Sequence, residues 1–222
     1  AALRERSLRE PEIAIVPLAV DDSFARARQA PLQRPATPYF LYVGTIEPRK
    51  NLLLLLAVWR RLIERHGTRA PRLVIAGRRG WENENIVDVL ERSRQLAPFV
   101  AEASDLTDAG LARLMAEAAA LVAPSFTEGF GLPVVESLAA GAPAIVSDIA
   151  AHREVGDGYA VFADAIDGPA WVGAIEALMD DASDFRRDRL AKIAGYQPLS
   201  WSEHVARAHA LMEKAATAPL PA

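Results

Sequence analysis

A doubly wound parallel α/β domain is the fold class predicted by this chain of 222 residues, on three observations. Short apolar runs alternate with longer amphipathic stretches, which is the pattern of βα units. Two of the runs, Tyr39-Phe40-Leu41-Tyr42-Val43 and Leu73-Val74-Ile75-Ala76, stop directly at a glycine, Gly44 and Gly77. No internal repeat, heptad array or low-complexity block interrupts the alternation.

Taken in order, residues 1–11 read as a polar lead-in and Ile13 to Pro17 as a first strand. Pro31 to Pro38 holds three prolines and must be a loop. Tyr39 to Val43 is the next strand, and Asn51 to His66 a helix capped by Gly67. After the strand at Leu73 to Ala76 come a helix from Glu84 to Leu96, a short strand from Phe99 to Ala103, and a helix capped by Thr107 or Asp108 that runs to about Ala118. Leu121-Val122-Ala123-Pro124-Ser125 reads as a short buried strand feeding a glycine turn. Pro133 fits the first position of the helix beyond it, where a missing N–H costs nothing, and Gly141 suits its C-terminal end. Strands follow at Ala144 to Ser147 and Tyr159 to Phe162. Asp167-Gly168-Pro169 opens a helix with Trp171, Ile175 and Leu178 on one face. Phe185 to Ala194 and Trp201 to Lys214 form a helical C-terminal extension, ahead of a Pro- and Ala-rich tail over residues 215–222. The whole reads as a single domain.

Lys and Arg total 25 against 29 Asp and Glu, a net charge of -4, so the chain offers no field for nucleic acid. The absence of cysteine removes disulfides, thiol catalysis and zinc–thiolate sites. With no signal peptide and no apolar run long enough to span a bilayer, the expectation is a soluble cytoplasmic protein. Contact with the inner face of a membrane is expected only through a segment beyond this chain. The opening Ala1-Ala2-Leu3, without a methionine, reads as an excised piece of a longer polypeptide.

In open parallel sheets, ligands bind outside the carboxyl ends of the strands. The loops from Gly44, from Gly77 and from Gly129 to Gly131 should therefore open on one edge. The most informative stretch is Glu128-Gly129-Phe130-Gly131-Leu132-Pro133-Val134-Val135-Glu136, two carboxylates eight positions apart with a glycine turn and a helix start between them. The free N–H groups of such a turn suit an anion, and ionised glutamates accept from hydroxyls. A nucleotide-sugar offers both. Arg49 and Lys50 precede the Asn51 helix, where each cation opposes the helix dipole at a cost of roughly 0.3–1 kcal/mol if exposed. A bound diphosphate would reverse that sign.

Plainer readings stand beside these. Arg49 and Lys50 are then two solvated cations, Glu128 a helix cap and Glu136 a first-turn acid. Gly129-Phe130-Gly131 is a poor start for a dinucleotide fingerprint, because Val134 stands where the third glycine belongs. There is no P-loop. His152-Arg153-Glu154 reads first as a helix start with solvated charges and second as an approach to the ligand edge. Trp81 either flanks a ligand or packs on its neighbouring helix. His66, His204 and His209 read as surface-helix residues, and no metal site is expected.

On Tyr42-Val43-Gly44 through Pro48-Arg49-Lys50-Asn51, Ala76-Gly77-Arg78-Arg79-Gly80-Trp81 and Pro124-Ser125 through Glu136, the chain resembles the C-terminal, donor-binding domain of a GT-B glycosyltransferase of family 4, the retaining glycosyl transferases group 1. The resemblance runs from about Ile13 to Lys214, and Glu-x7-Glu at Glu128 and Glu136 is its most specific part. The Gly-x-x-Gly-Trp and Pro-Arg-Lys-Asn forms are similar to those of bacterial mannosyl- and rhamnosyltransferases of cell-surface polysaccharide assembly. The resemblance implies a Rossmann-like hexosyltransferase domain. In it Lys50, helped by Arg49, would stabilise the departing diphosphate, and Glu128 would contact hydroxyls of the donor hexose. The N–H groups of Phe130, Gly131 and Leu132 would hold sugar hydroxyls and the distal phosphate, and Glu136 would accept both ribose hydroxyls. Gly44, Thr45, Gly77 and Gly129 would line the same donor site. The base would lie along the Phe99 to Ala103 strand end, with Val100 as a contact.

It further implies an NDP-sugar donor, GDP-mannose by likeness to the mannosyltransferases, with neither cofactor nor metal, and transfer to a cell-surface glycan or glycolipid. The acceptor site would lie in an N-terminal domain, the expected partner, so this chain alone should bind donor and transfer little. Four positions depart from the family's habit: Thr45 stands where an arginine is frequent, Leu18-Ala19 where Asn-Gly is common, and Ala101 where a glycine is frequent. A UDP-sugar epimerase of the same fold and a non-catalytic nucleotide-sugar-binding subunit are the alternatives. The Pro-Arg-Lys-Asn loop disfavours the first, and intact Lys50, Glu128 and Glu136 disfavour the second.

Overall fold

The computed structural model describes residues 13–217, so the lead-in at 1–11 and the last five residues of the tail lie outside it. Two compact units divide the chain, Val20–Pro198 and the terminal stretches Ala1–Ala19 with Leu199–Ala222.

The larger unit is a six-stranded parallel sheet: β1 (Tyr39–Val43), β2 (Arg72–Ala76), β3 (Val100–Ala103), β4 (Ala120–Ala123), β5 (Ala144–Ser147) and β6 (Val161–Ala163). The strands run in the order β3-β2-β1-β4-β5-β6, the doubly wound order of Rossmann-like folds. Helices α1 (Asp22–Gln29), α2 (Leu52–His66), α3 (Glu84–Arg92), α4 (Asp108–Glu117), α5 (Leu132–Ala139), α6 (Ala150–Gly156), α7 (Gly168–Met179) and α8 (Asp184–Ala194) accompany it.

Side chains alternate across a strand, so each strand feeds two cores. Phe40 and Tyr42 of β1 join one cluster with Leu55, Trp59 and Leu62 of α2 and Trp171, Ile175 and Leu178 of α7. Tyr39 and Leu41 join the other, with Phe24 of α1, Met115 of α4 and Val134 and Leu138 of α5. Both faces are covered, which is why β1 is apolar throughout. The Trp171-Ile175-Leu178 face is fully buried, as its spacing predicts.

Several local expectations differ from the structure, among them the last strand, which runs Val161–Ala163 and not Tyr159 to Phe162. Ile13 to Pro17 is not a strand; Ile13 and Ile15 are 79% and 80% exposed, and the sheet ends at β3 and β6. Helix α3 stops at Arg92 instead of Leu96: Ser93 N–H closes the last turn on Val89 O, and separate turns then carry Leu96 into the core. Helix α1 had no counterpart in the sequence reading, although Asp21 caps it by accepting from Ser23 N–H at 2.8 Å.

In the smaller unit, helix α9 (Trp201–Thr217) outruns the predicted end at Lys214. Ser200 and Glu203 close its start reciprocally, Ser200 N–H donating to Glu203 Oε2 at 2.9 Å and Glu203 N–H to Ser200 Oγ at 3.3 Å. His204 Nδ1 donates to Pro17 O at 2.7 Å. Among the described residues, no helix is long and apolar enough to cross a membrane.

Candidate functional site

The strand order reverses at β1, whose neighbours are β2 on one side and β4 on the other. A crevice opens at such a switch point, beyond the carboxyl ends of the two strands. The loop after β1 carries Arg49 and Lys50 in a single 3-10 turn, Pro48–Lys50, and the loop after β4 carries Glu128. Phe126 N–H donates to Arg49 O at 2.9 Å and ties the two loops together.

Across this tie Lys50 Nζ lies 2.6 Å from Glu128 Oε1, with both side chains close to nine-tenths buried. Ser125 Oγ donates to the same oxygen at 2.7 Å. Arg49 stands 3.2 Å from Glu128 Oε2 and, on its other side, 2.6 Å from Glu47 Oε1. The second oxygen of Glu47 accepts from the indole N–H of Trp81 at 2.9 Å. Two cations thus meet two carboxylates, and the cations that oppose the dipole of α2 are offset within the protein. Burial pushes the Glu128 carboxyl up, but the hydrogen bonds from Lys50 and Ser125 and the charges of Lys50 and Arg49 outweigh it and hold the group below its ordinary value. A lysine ammonium has three donors and Glu128 takes one.

Glycines let these loops approach. A Cβ on Gly77 would run into Gly44 O, while Gly44, at φ +145°, leaves room for Lys50 Nζ 3.7 Å from where its own Cβ would stand. Thr45 is exposed, and its carbonyl accepts from Tyr42 Oη at 3.0 Å. Gly129 is exposed and Phe130 half-buried. Gly131 takes the left-handed conformation at φ +93° as the N-cap of α5, with Leu132 and Pro133 in its first turn. Among the described residues the N–H groups of Phe130 and Gly131 find no acceptor.

Glu136 stands apart from the Lys50 pair. It is half-buried on α5, and its carboxyl finds no hydrogen-bond partner among the described residues. Burial, then the charges of Asp108 and Asp21, push its carboxyl up to about 7. Asp108 opens α4, and the residues before it border a cavity of about 190 Å³ lined by Ala76, Gly77, Arg78, Ala103, Ser104 and Leu106. This hollow lies at the carboxyl ends of β2 and β3.

Val100 is not there. The register pairs Val100 with Leu73 and Ala103 with Ala76, so Val100 sits at the amino end of β3, about 10 Å from the edge that carries the glycine loops. It packs against the core instead, and Ala101 is exposed on the sheet's edge strand. Ala103, at the hollow, closes the strand along whose end the base is expected, whereas Ser104 to Leu106 have no counterpart in that expectation; the break of the strand at Ser104-Asp105 is the available signal.

His152 departs only from the solvated reading. It is buried, while Arg153 and Glu154 beside it are exposed as the helix-start reading predicts. Its ring lies against Gly131, whose Cβ would stand 3.2 Å from His152 Cδ2. His66, half-buried, contacts Glu176 at 2.6 Å. Among the described residues, no group of three or more His, Asp or Glu side chains is placed to hold a metal.

With this geometry in view, the likeness to known proteins is specific. The family model described as Glycosyl transferases group 1 matches residues 37–181, more than half of the chain. The O-antigen chain mannosyltransferase B of Escherichia coli is 36% identical over 145 residues, covering 65% of this chain and 38% of that protein. The O-antigen chain mannosyltransferase RfbU of Salmonella typhimurium is 31% identical over 156 residues, covering 66% of this chain and 41% of that protein. The chain thus spans about two fifths of the length of these relatives. Among solved structures, a glycosyltransferase from Rickettsia africae matches with a TM-score of 0.76 at 13% identity, over 98% of this chain and 61% of that one. The sucrose-phosphate synthase of Thermosynechococcus elongatus matches with a TM-score of 0.74 at 20% identity, over 98% and 56%. At those identities the structures speak for the Rossmann-like fold alone.

Proposed function

The chain belongs to the glycosyl transferases group 1, and from that premise we propose that it is the donor-binding part of a retaining hexosyltransferase, holding an NDP-hexose along the carboxyl edge of its sheet. The observation that carries the reading is the Lys50–Glu128 contact at 2.6 Å, which brings two remote loops together beside a turn of unused N–H donors. The ligand runs in sequence. Its hexose hydroxyls meet Glu128, its diphosphate meets Lys50, Arg49 and the turn at Phe130 to Leu132, its ribose hydroxyls donate to Glu136, and its base occupies the hollow at Ala103 to Leu106.

Each assignment follows from charge and hydrogen-bonding capacity. When the bond from the anomeric carbon to the diphosphate breaks, the electron pair leaves on the phosphate oxygen. The two donors of Lys50 not used by Glu128, together with Arg49, answer that charge. Glu128 is ionised at neutral pH and can only accept, which suits a sugar hydroxyl. Glu136 lacks a partner, and a ribose diol supplies two donors. The diphosphate is met by side chains and backbone, with no metal ion or other cofactor in this reading. The O-antigen mannosyltransferases among the relatives support mannose as the sugar; GDP as its carrier, and use at the cytoplasmic face of the membrane for a cell-surface polysaccharide, complete the proposal. The acceptor site is assigned to a second domain of the kind those longer relatives have room for.

Calorimetry with GDP, UDP, ADP and dTDP tests the reading. One of them should bind the chain at roughly micromolar strength, about 8 kcal/mol. Heat from none of the four would overturn it.

A further inference from the structure

We propose that His152 is a donor-sugar contact whose Nε2 accepts a hydrogen bond from a hexose hydroxyl seated at the Gly129–Gly131 turn. The inference rests on the nucleotide-sugar reading above and adds to it a residue that distinguishes a sugar-bearing nucleotide from a bare one.

The imidazole is 1% exposed, and its protons are assigned by its neighbours. His152 Nδ1 lies 2.9 Å from Ser147 O; a carbonyl only accepts, so Nδ1 carries the hydrogen. Ser147 Oγ, 3.2 Å from Nδ1, donates its own hydrogen to Ser125 O. That leaves Nε2 as a bare lone pair, and among the described residues nothing donates to it. Burial pushes the imidazole pKa down, with the Lys50 charge acting in the same direction against Ser147 O and Glu128, so the ring is neutral.

The edge carrying Nε2 faces the glycine turn. A Cβ at Gly131 would lie 3.2 Å from Cδ2 and 3.8 Å from Nε2, so the missing side chain at that position is what leaves the edge open. A lone pair repels phosphate oxygens and welcomes a hydroxyl hydrogen, which assigns His152 to the sugar and not to the diphosphate. Plain core filling needs no nitrogen, and a Nδ1 tied to Ser147 O fixes the ring's orientation, as an acceptor aimed at a ligand requires.

The test is calorimetry on the 222-residue chain with GDP and with GDP-mannose. His152→Asn keeps the amide donor toward Ser147 O and removes Nε2; it should leave GDP affinity unchanged and weaken GDP-mannose roughly 3- to 10-fold, one neutral hydrogen bond. His152→Gln, which carries an acceptor at the position of Nε2, should recover part of that loss. In the unsubstituted chain, the ¹⁵N resonance of His152 Nε2 should move on adding GDP-mannose and stay still with GDP, a readout that needs no variant. Equal weakening of both ligands, no weakening of either, or a resonance indifferent to the sugar would overturn the proposal. Failure of the unsubstituted chain to bind GDP or any other nucleoside diphosphate would instead overturn the nucleotide reading, and this one with it.

Discussion

Glu128 and Glu136 are the same residue type on either side of one glycine turn, yet their surroundings drive them in opposite directions. Both are partly buried, but a lysine, an arginine and a serine from two loops converge on the loop glutamate and hold it ionised. The helix glutamate has burial and two aspartates for neighbours, and it keeps its proton until about pH 7. The difference teaches that a carboxylate's role at this edge is set by what the neighbouring strand ends deliver. The first is a finished ion pair, and the second is a carboxyl whose side chain has no partner among the described residues.

The largest test of that contrast is Lys50→Ala. Removing the cation leaves a buried carboxylate with only part of its compensation, and should cost about 3 kcal/mol in a urea titration, with GDP affinity down at least ~10-fold. Adding Glu128→Gln should restore much of the stability and none of the affinity. An unchanged midpoint for Lys50→Ala would mean that the pair contributes nothing to the fold.

Next comes the pH dependence. Glu136 binds its proton more tightly folded than unfolded, so its contribution is present below its ordinary value of 4.5 and is lost as pH rises through about 7. Glu136→Gln should flatten that slope and stabilise the chain at pH 8 by up to about 3 kcal/mol. Glu128 has the opposite sign: its contribution is full above 4.5 and disappears as pH falls through its lowered folded value. Melting curves taken every half unit of pH would separate the two limbs, and a single limb would end the contrast.

Gly131→Ala should cost about 1–2 kcal/mol, because φ +93° is strained for any side chain and the added Cβ presses on His152. Replacement without effect on the melting temperature would show that the turn relaxes freely. The smallest effect is none at all: chelation by EDTA should leave GDP-mannose binding unchanged, whereas a loss on chelation would put a metal ion between the diphosphate and Lys50.

Much of this architecture was legible from residues alone. Strand β1 was read to the residue because it is apolar on both faces and ends at a glycine, and the meeting of the β1 and β4 loops followed from parallel order. The remainder depended on register and on three-dimensional neighbours. Val100 lies within the strand expected at Phe99 to Ala103 but at its amino end, and the pairing with Leu73 confirms what parallel order implies, that Ala103 is the residue nearest the ligand edge. His152 lies on a helix of seven residues, too short for burial to show as periodicity. The Ile13 run looked like a strand because hydrophobicity alone does not say whether a partner edge exists.

Asn51, at the N-cap of α2, takes the left-handed conformation at φ 57° and donates through its side-chain amide to Pro124 O at 3.0 Å and to Ala165 O at 2.8 Å. One short side chain thereby pins the segments that follow β1, β4 and β6. Glycine has the backbone freedom for this position but nothing to donate, aspartate has the reach but only acceptors, and glutamine has the donors on a stem one carbon too long. A library randomised at that single codon and selected for nucleotide binding should therefore return asparagine.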